Sequence, residues 1–361
     1  MLFSYSHNAL AENWLNSTIV DVLGTGMQTI LAGGNAPAWS DALPIAHKTE
    51  LKGRSGIRKR VQKLWTKFAA LNQADQLALL DALNQQTFLP NIYFNDAVCR
   101  GIDGFDESVS VAAVDLFRFI FEEQLTTIKV GGICLRDIHY AAIYAEFPSR
   151  ICPFCGIGHF RAPGAPRHAL DHYMPISKYP FAGGDFRNLP PMCSECNSDF
   201  KKSTDILFNQ NGQRQRCVDP YAGPNFAISL AQSVPFGGAI ISGISLPRWV
   251  IDFRGGPQEQ AENWDRIFKV RERYERDVLN AEFRSWLEHF ALWYTRGNHG
   301  GGLGAQIAAS IPEYLSTVIQ DGLADKAFLK AEVFRLLHSE CAHPDRGVDM
   351  MGFLEILISC T

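Results

Sequence analysis

Apolar side chains recur at helical spacing through most of the first 146 residues. Ile57, Val61, Leu64, Trp65 and Phe68 fall three or four apart, which predicts a helix over 55–71 with one apolar face. Arg58, Lys59, Arg60, Lys63 and Lys67 occupy the rest of that helix, with Lys52 and Arg54 just before it. Similar patterns predict helices over 73–85, ending in a break at Pro90, and over 107–127, where Val111, Val114, Leu116, Phe117, Phe121 and Leu125 would be buried. A turn at Gly131-Gly132 and a helix over 135–146 lead to Cys152. Residues 1–47 predict one or two short helices and a loop around Gly33-Gly34-Asn35-Ala36-Pro37.

The pattern changes beyond residue 215. Period-two and β-branched runs over 239–242 and 249–253 predict short strands between Gly and Pro residues. Helical spacing returns over 258–295, where Trp264, Phe268, Tyr274, Phe283, Trp286, Phe290 and Trp293 read as core, and helices follow near 305–323, 326–339 and 348–357. The chain is therefore expected to be α+β and mostly helical. Its three regions are a helical one over 1–147, a central module over 148–215, and a region of strands then helices over 216–361. There is no internal repeat and no low-complexity tract.

At 361 residues, 46% hydrophobic and 20% charged, the composition is that of a globular protein. The net charge of −4 excludes a protein coated with positive charge, so a grip on nucleic acid must be local. One local excess is clear: between Lys48 and Lys67 there are eight cations and one acid. That face reads as a solvated surface, a nucleic-acid contact or a protein contact. No run reaches the roughly 18 apolar residues of a membrane span, and no basic-apolar leader opens the chain. No membrane association and a cytoplasmic location are expected.

Four of the nine cysteines stand in two Cys-x-x-Cys pairs, Cys152/Cys155 and Cys193/Cys196, while Cys99, Cys134, Cys217, Cys341 and Cys360 are scattered. Each such turn aims two thiolates at one point, and two turns make a closed tetrahedral site for structural zinc. The thioredoxin-like context that a redox role would need is missing. A structural zinc site has no use for what lies between and beside the pairs, namely Asp171-His172, Asn188 and Asn197.

These residues suit phosphodiester hydrolysis. A strand over 168–174, a loop over 179–185, a returning strand over 187–192 and a helix over 194–204 would set Asp171 and His172 beside the first turn of that helix, where Asn197 lies. His172 is the candidate base for activating water, since a neutral imidazole can take a proton at cellular pH. Asp171 and Asn197 offer hard oxygen ligands for a catalytic Mg2+ or Mn2+. Asn188 can fix the loop and orient His172. Lys178, Arg187, Lys201 and Lys202, with Arg161 and Arg167, are candidate phosphate contacts. His159 and His168 read as ordinary solvated side chains.

The order of LDHYMPISKYP, RNLPPMCSECN and the Asn directly after the second Cys pair resembles the HNH endonucleases, the ββα-metal or His-Me finger family, in its zinc-bearing branch. The resemblance covers residues 151–204 alone, and Pro175 and Ser177 also fit it. It implies a central ββα-metal module, with His172 as general base, Asp171 and Asn197 on the metal, Asn188 positioning the base, and zinc as a brace. One position departs: the Lys often found three residues after the final Asn or His is Phe200 here, and Lys201 and Lys202 follow it. The family implies DNA as the preferred substrate, and a role as effector of a bacterial antiphage or restriction-like system with a protein partner. The alternatives are an HNH ribonuclease, acting on tRNA among other RNAs, and a non-catalytic zinc-stabilised adaptor that binds nucleic acid.

Overall fold

The helical periodicity becomes real elements in the computed structural model, which describes residues 1–94, 96–146, 150–165, 170–238, 240–241, 244–297, 302–320 and 322–360. The chain is mostly helical and divides into two compact units. The first consists of Met1 and residues 3–154 and 158–224; the second consists of Leu2 and residues 155–157 and 225–361.

The first unit is built on α1 (Trp14–Leu31), α2 (Ser55–Ala69), α3 (Gln73–Thr87), α4 (Glu107–Phe119) and α5 (Leu135–Glu146). α2 packs on α4, and α1 lies against both α2 and α3. Ile57, Val61, Leu64, Trp65 and Phe68 supply the buried face of α2, as their spacing predicts. Gly26 lets α1 approach: a Cβ there would lie 2.2 Å from the Trp65 ring, whose Nε1 donates to the Leu23 carbonyl at 3.2 Å. α1 is longer than the short helices expected. Its Thr25 and Thr29 hydroxyls, which blur the apolar pattern, donate to carbonyls four residues back and stay within the helix. Asn72 and Asp106 cap α3 and α4 by accepting from the Asp75 and Ser108 amides.

One expectation in this unit needs correction. The helix over 107–127 continues as a π turn (Ile120–Gln124) and a last short turn (Leu125–Thr127), but Val111 is 53% exposed. The packed face is instead Val109, Ala112, Ala113, Leu116 and Phe117, where the small alanines admit α2. The break expected at Pro90 is present, since α3 ends at Thr87, and Pro90 then enters the first turn of a short helix (Leu89–Phe94), where its missing N–H costs nothing. The Gly131-Gly132 turn, with φ of 59° and 86°, joins β1 (Lys129–Val130) to β2 (Ile133–Cys134).

The second unit pairs β3 (Ala227–Ser229) with β6 (Asp252–Arg254) and β4 (Ile240–Ile241) with β5 (Ile244–Ser245), all antiparallel. Ala239 and Ser242, parts of one expected strand, lie outside the described residues. The helices are α6 (Gln258–Phe268), α7 (Asn280–Arg296), α8 (Gly304–Tyr314), α9 (Ala327–Cys341) and α10 (Gly347–Ser359). The single helix expected over 258–295 breaks at Lys269, which has φ of 51°. Phe290, Tyr314 and Phe334 form an aromatic core with centroids 4.9–5.3 Å apart. Among the described residues, no helix is long and apolar enough to cross a membrane.

Candidate functional site

The sulfurs of Cys152, Cys155, Cys193 and Cys196 lie within 4.8 Å of one another, and all four residues are buried. None of the four is in a disulfide. Tetrahedral zinc with bonds of about 2.3 Å spaces its sulfurs about 3.8 Å apart, so a small contraction fits this cluster to such an ion. Backbone amides already point at two of the sulfurs: Cys193 N–H donates to Cys152 Sγ and Ile157 N–H to Cys155 Sγ, each at 3.4 Å. Such donors favour thiolates over thiols. Gly156, with φ of 66°, makes the turn that follows Cys155. Four buried soft ligands leave no open position, so a metal ion such as zinc held here would be structural.

The strands expected over 168–174 and 187–192 are absent from the described residues, while His168 and Ala169 lie outside them. Pro190 and Pro191 take two amide donors from the second stretch, whose start is a 3-10 turn, and so leave the first without a partner strand. What remains among the described residues is one backbone bond, from Tyr173 N–H to Asn188 O at 2.8 Å. Asn188 ends the 3-10 turn Phe186–Asn188, a second such turn spans Pro180–Ala182, and a π-helix (Glu195–Lys201) stands where the helix over 194–204 was expected.

Asn188 holds this arrangement together and is fully buried. Its Oδ1 accepts from Met174 N–H at 2.7 Å, and its Nδ2 donates to the Met174 and Ala182 carbonyls, both at 3.2 Å. It therefore fixes the chain on each side of His172's surroundings without a recorded bond to the imidazole. His172 is 6% exposed, and its ring packs 4.4 Å from that of Phe121. Its Nε2 lies 2.8 Å from the Gly183 carbonyl oxygen. A carbonyl only accepts, so Nε2 carries the proton and Nδ1 the lone pair. Nδ1 has no hydrogen-bond partner among the described residues. Burial pushes the His172 imidazole down to about 4, against the opposing pull of the Gly183 carbonyl.

The sequence pattern did not reveal what holds Gly183 in place. Asn16 of α1 donates to Phe181 O at 3.0 Å and accepts from Gly184 N–H at 2.9 Å. Gln86 of α3 accepts from Phe181 N–H at 3.0 Å, and Asn13 accepts from Phe186 N–H at 2.8 Å. The helices before the motif thus carry the loop that orients His172. The available signal was polar residues on otherwise apolar helix faces, and the Gly183-Gly184 pair, where a Cβ on Gly183 would lie 2.8 Å from Ile176 Cδ1.

Asp171 is partly exposed, at 30% for its side chain, and its Oδ2 is 3.2 Å from Lys201 Nζ. Asn197 is half-buried one turn before Lys201 on the same π-helix, and its amide donates to Cys193 O. Of Lys178, Arg187, Lys201 and Lys202, only Lys202 is exposed; Arg161 is exposed as well, and Arg167 lies outside the described residues. Lys201 is 1% exposed, and burial lowers its pKa. Arg187 is bonded to the buried carboxylate of Asp219. Lys178 pairs with Asp205 at 2.9 Å and with Asp103 at 3.8 Å. On α2, Arg60 pairs with Asp115 at 3.2 Å and covers the Phe119 ring, while Arg58, Lys59 and Lys63 remain exposed. Compared with protein-family models, curated proteins and solved structures, the chain finds no match in any of the three.

Proposed function

We propose that the chain is a metal-dependent HNH-type endonuclease that hydrolyses phosphodiester bonds, with DNA as substrate and the four-cysteine cluster holding a structural zinc ion. One observation carries this reading: the Gly183 carbonyl fixes the His172 tautomer and leaves Nδ1 as a base, one residue from the partly exposed carboxylate of Asp171. Asp171 and Asn197 would hold the divalent ion, Mg2+ or Mn2+. Asp171 offers a partly exposed carboxylate, for which a metal ion would compete with the Lys201 ammonium. The bound ion would supply charge stabilisation at the scissile phosphate and the departing oxygen.

In this reading the chain's own groups set the geometry. His172 Nδ1 takes the proton from the attacking water, and the Nε2–H bond to Gly183 stabilises the imidazolium that results. Asn188 keeps the loop at Ala182 and the segment at Met174 in register, so the imidazole does not turn away. Lys202 and Arg161 are the exposed motif cations that could meet a phosphate. The same reading makes the protein the effector of a bacterial defence system.

The test is nicking of supercoiled plasmid with Mg2+ or Mn2+, run in parallel with single-stranded DNA and total RNA. Wild type is expected to cut plasmid, and His172→Ala to be inactive while still folding cooperatively and keeping its zinc content. Normal nicking by His172→Ala would sink the base assignment. Cleavage of RNA alone would move the substrate to RNA, and no hydrolysis by a folded, zinc-loaded preparation would leave the adaptor reading. Phage plating with His172→Ala as control tests the defence role.

A further inference from the structure

The second unit holds a cavity of about 650 Å³ lined by α7, the turn that follows α8 and the start of α9. Sites for small molecules fall in a range of about 300–1,000 Å³. Trp286 and His289 enter from α7, and Lys326 and Lys330 from the other side. The two lysines differ in their partners. Lys326 is neutralised by Glu282 at 2.8 Å. Lys330 is half-buried, and no carboxylate lies within ion-pair distance of it among the described residues. Its ammonium lies 5.4 Å from the centre of the Tyr314 ring. A cation taken partly out of water without a counter-charge is costly, and an anion in the cavity would remove that cost.

His289 adds a second donor beside Lys330. Its Nδ1 is 2.6 Å from the Tyr314 hydroxyl. With the Tyr314 hydroxyl donating to Nδ1, the imidazole hydrogen sits on Nε2 and is free to meet an anion. The rim is strained as well: Gln320, Asp325 and Lys326 are non-glycine residues with φ of 49°, 50° and 58°. Backbone of this kind persists where the surroundings over-determine it, and it clusters at ligand sites.

We infer that this cavity binds a small phosphate-bearing molecule, with the Lys330 ammonium and the His289 Nε2–H on the phosphate oxygens and the Trp286 wall against the organic part. A phosphate can accept from an ammonium and an imidazole at once, and the volume exceeds what inorganic phosphate fills. The site is independent of the nuclease reading, since none of its residues belongs to the motif.

The experiment is titration of full-length protein with inorganic phosphate, AMP and ATP at constant ionic strength, read by calorimetry and thermal shift, with acetate as a carboxylate control. At least one phosphate probe is expected to bind and raise the melting temperature. Lys330→Met is expected to weaken that binding at least tenfold, and His172→Ala to leave it unchanged. If Lys330→Met does not fold, His289→Gln reads the same loss. Absence of binding by all three probes overturns the proposal, as does undiminished affinity in both cavity variants. Loss of binding in His172→Ala would place the anion at the motif, and an equal response to acetate would remove the phosphate class.

Discussion

The ammonium of Lys201 lies 3.2 Å from Asp171 Oδ2, so the carboxylate assigned to a divalent ion is already neutralised from inside the protein. Lys201 also donates to the Lys202 carbonyl at 2.9 Å, and Lys202 has φ of 48°, a conformation L residues rarely adopt. A metal ion at Asp171 would have to share that carboxylate with the ammonium or displace it. Like charges about 4 Å apart repel by roughly 4 kcal/mol per unit pair near a protein surface. Lys201→Met is therefore expected to tighten Mn2+ binding at least about tenfold, an effect of about 1.4 kcal/mol. Paramagnetic resonance on nucleic-acid-free protein checks it, and unchanged affinity would show that ammonium and metal occupy separate places.

Asn188 tests the loop geometry. Its Nδ2 faces two carbonyl oxygens, those of Met174 and Ala182. In Asn188→Asp the shape is kept, but an oxygen must face each carbonyl or the group must protonate. The expected loss of stability is about 2–4 kcal/mol, as for other buried polar groups left unpaired. Urea unfolding measures it, and a variant as stable as wild type would mean that Asn188 does not hold the segments together.

Metal removal separates the brace from the chemistry. Cys193→Ser, or prolonged chelation of wild type, is expected to lower the melting temperature by more than about 10 °C, because each kcal/mol moves a domain of this size by about 2–4 °C. Zinc content should fall from one ion per chain to none. A chelated protein with unchanged melting temperature would leave the cluster without a structural role.

What the sequence made legible follows from the range of the interactions. The helices on either side of the motif and the meeting of four sulfurs depend on spacing over a few residues, and so they could be read. The clamp made by Asn13, Asn16 and Gln86 could not be, because a buried polar side chain on a helix looks the same in sequence as a solvated one. Cations misled for a similar reason. Lys201, Arg187 and Lys178 read as candidate phosphate contacts and Arg60 as part of a basic face, yet each is committed to a carboxylate from another part of the chain. The strands around His172 suit the side-chain pattern, but Pro190 and Pro191 deny the second one its ladder, and the first is then left unpaired.

His139 gives the acid response of the first unit. It is fully buried, with Nδ1 2.8 Å from Ala9 O and its ring stacked 4.3 Å from that of Phe186. Burial pushes its imidazole down from 6.5 to about 4. In the folded state it therefore stays neutral, while the unfolded chain takes up a proton below about pH 6.5. Its contribution to stability is complete above that value and is lost as the pH falls toward 4, by up to about 3 kcal/mol. Burial raises the carboxyls of Asp185 and Asp219, which act in the opposite direction in acid, so the informative quantity is a difference between proteins. The stability gap between wild type and His139→Gln, taken from urea unfolding at several pH values, is expected to shrink steadily between pH 6.5 and 4.5. A gap that stays constant over this window would show that His139 is not held neutral by its burial.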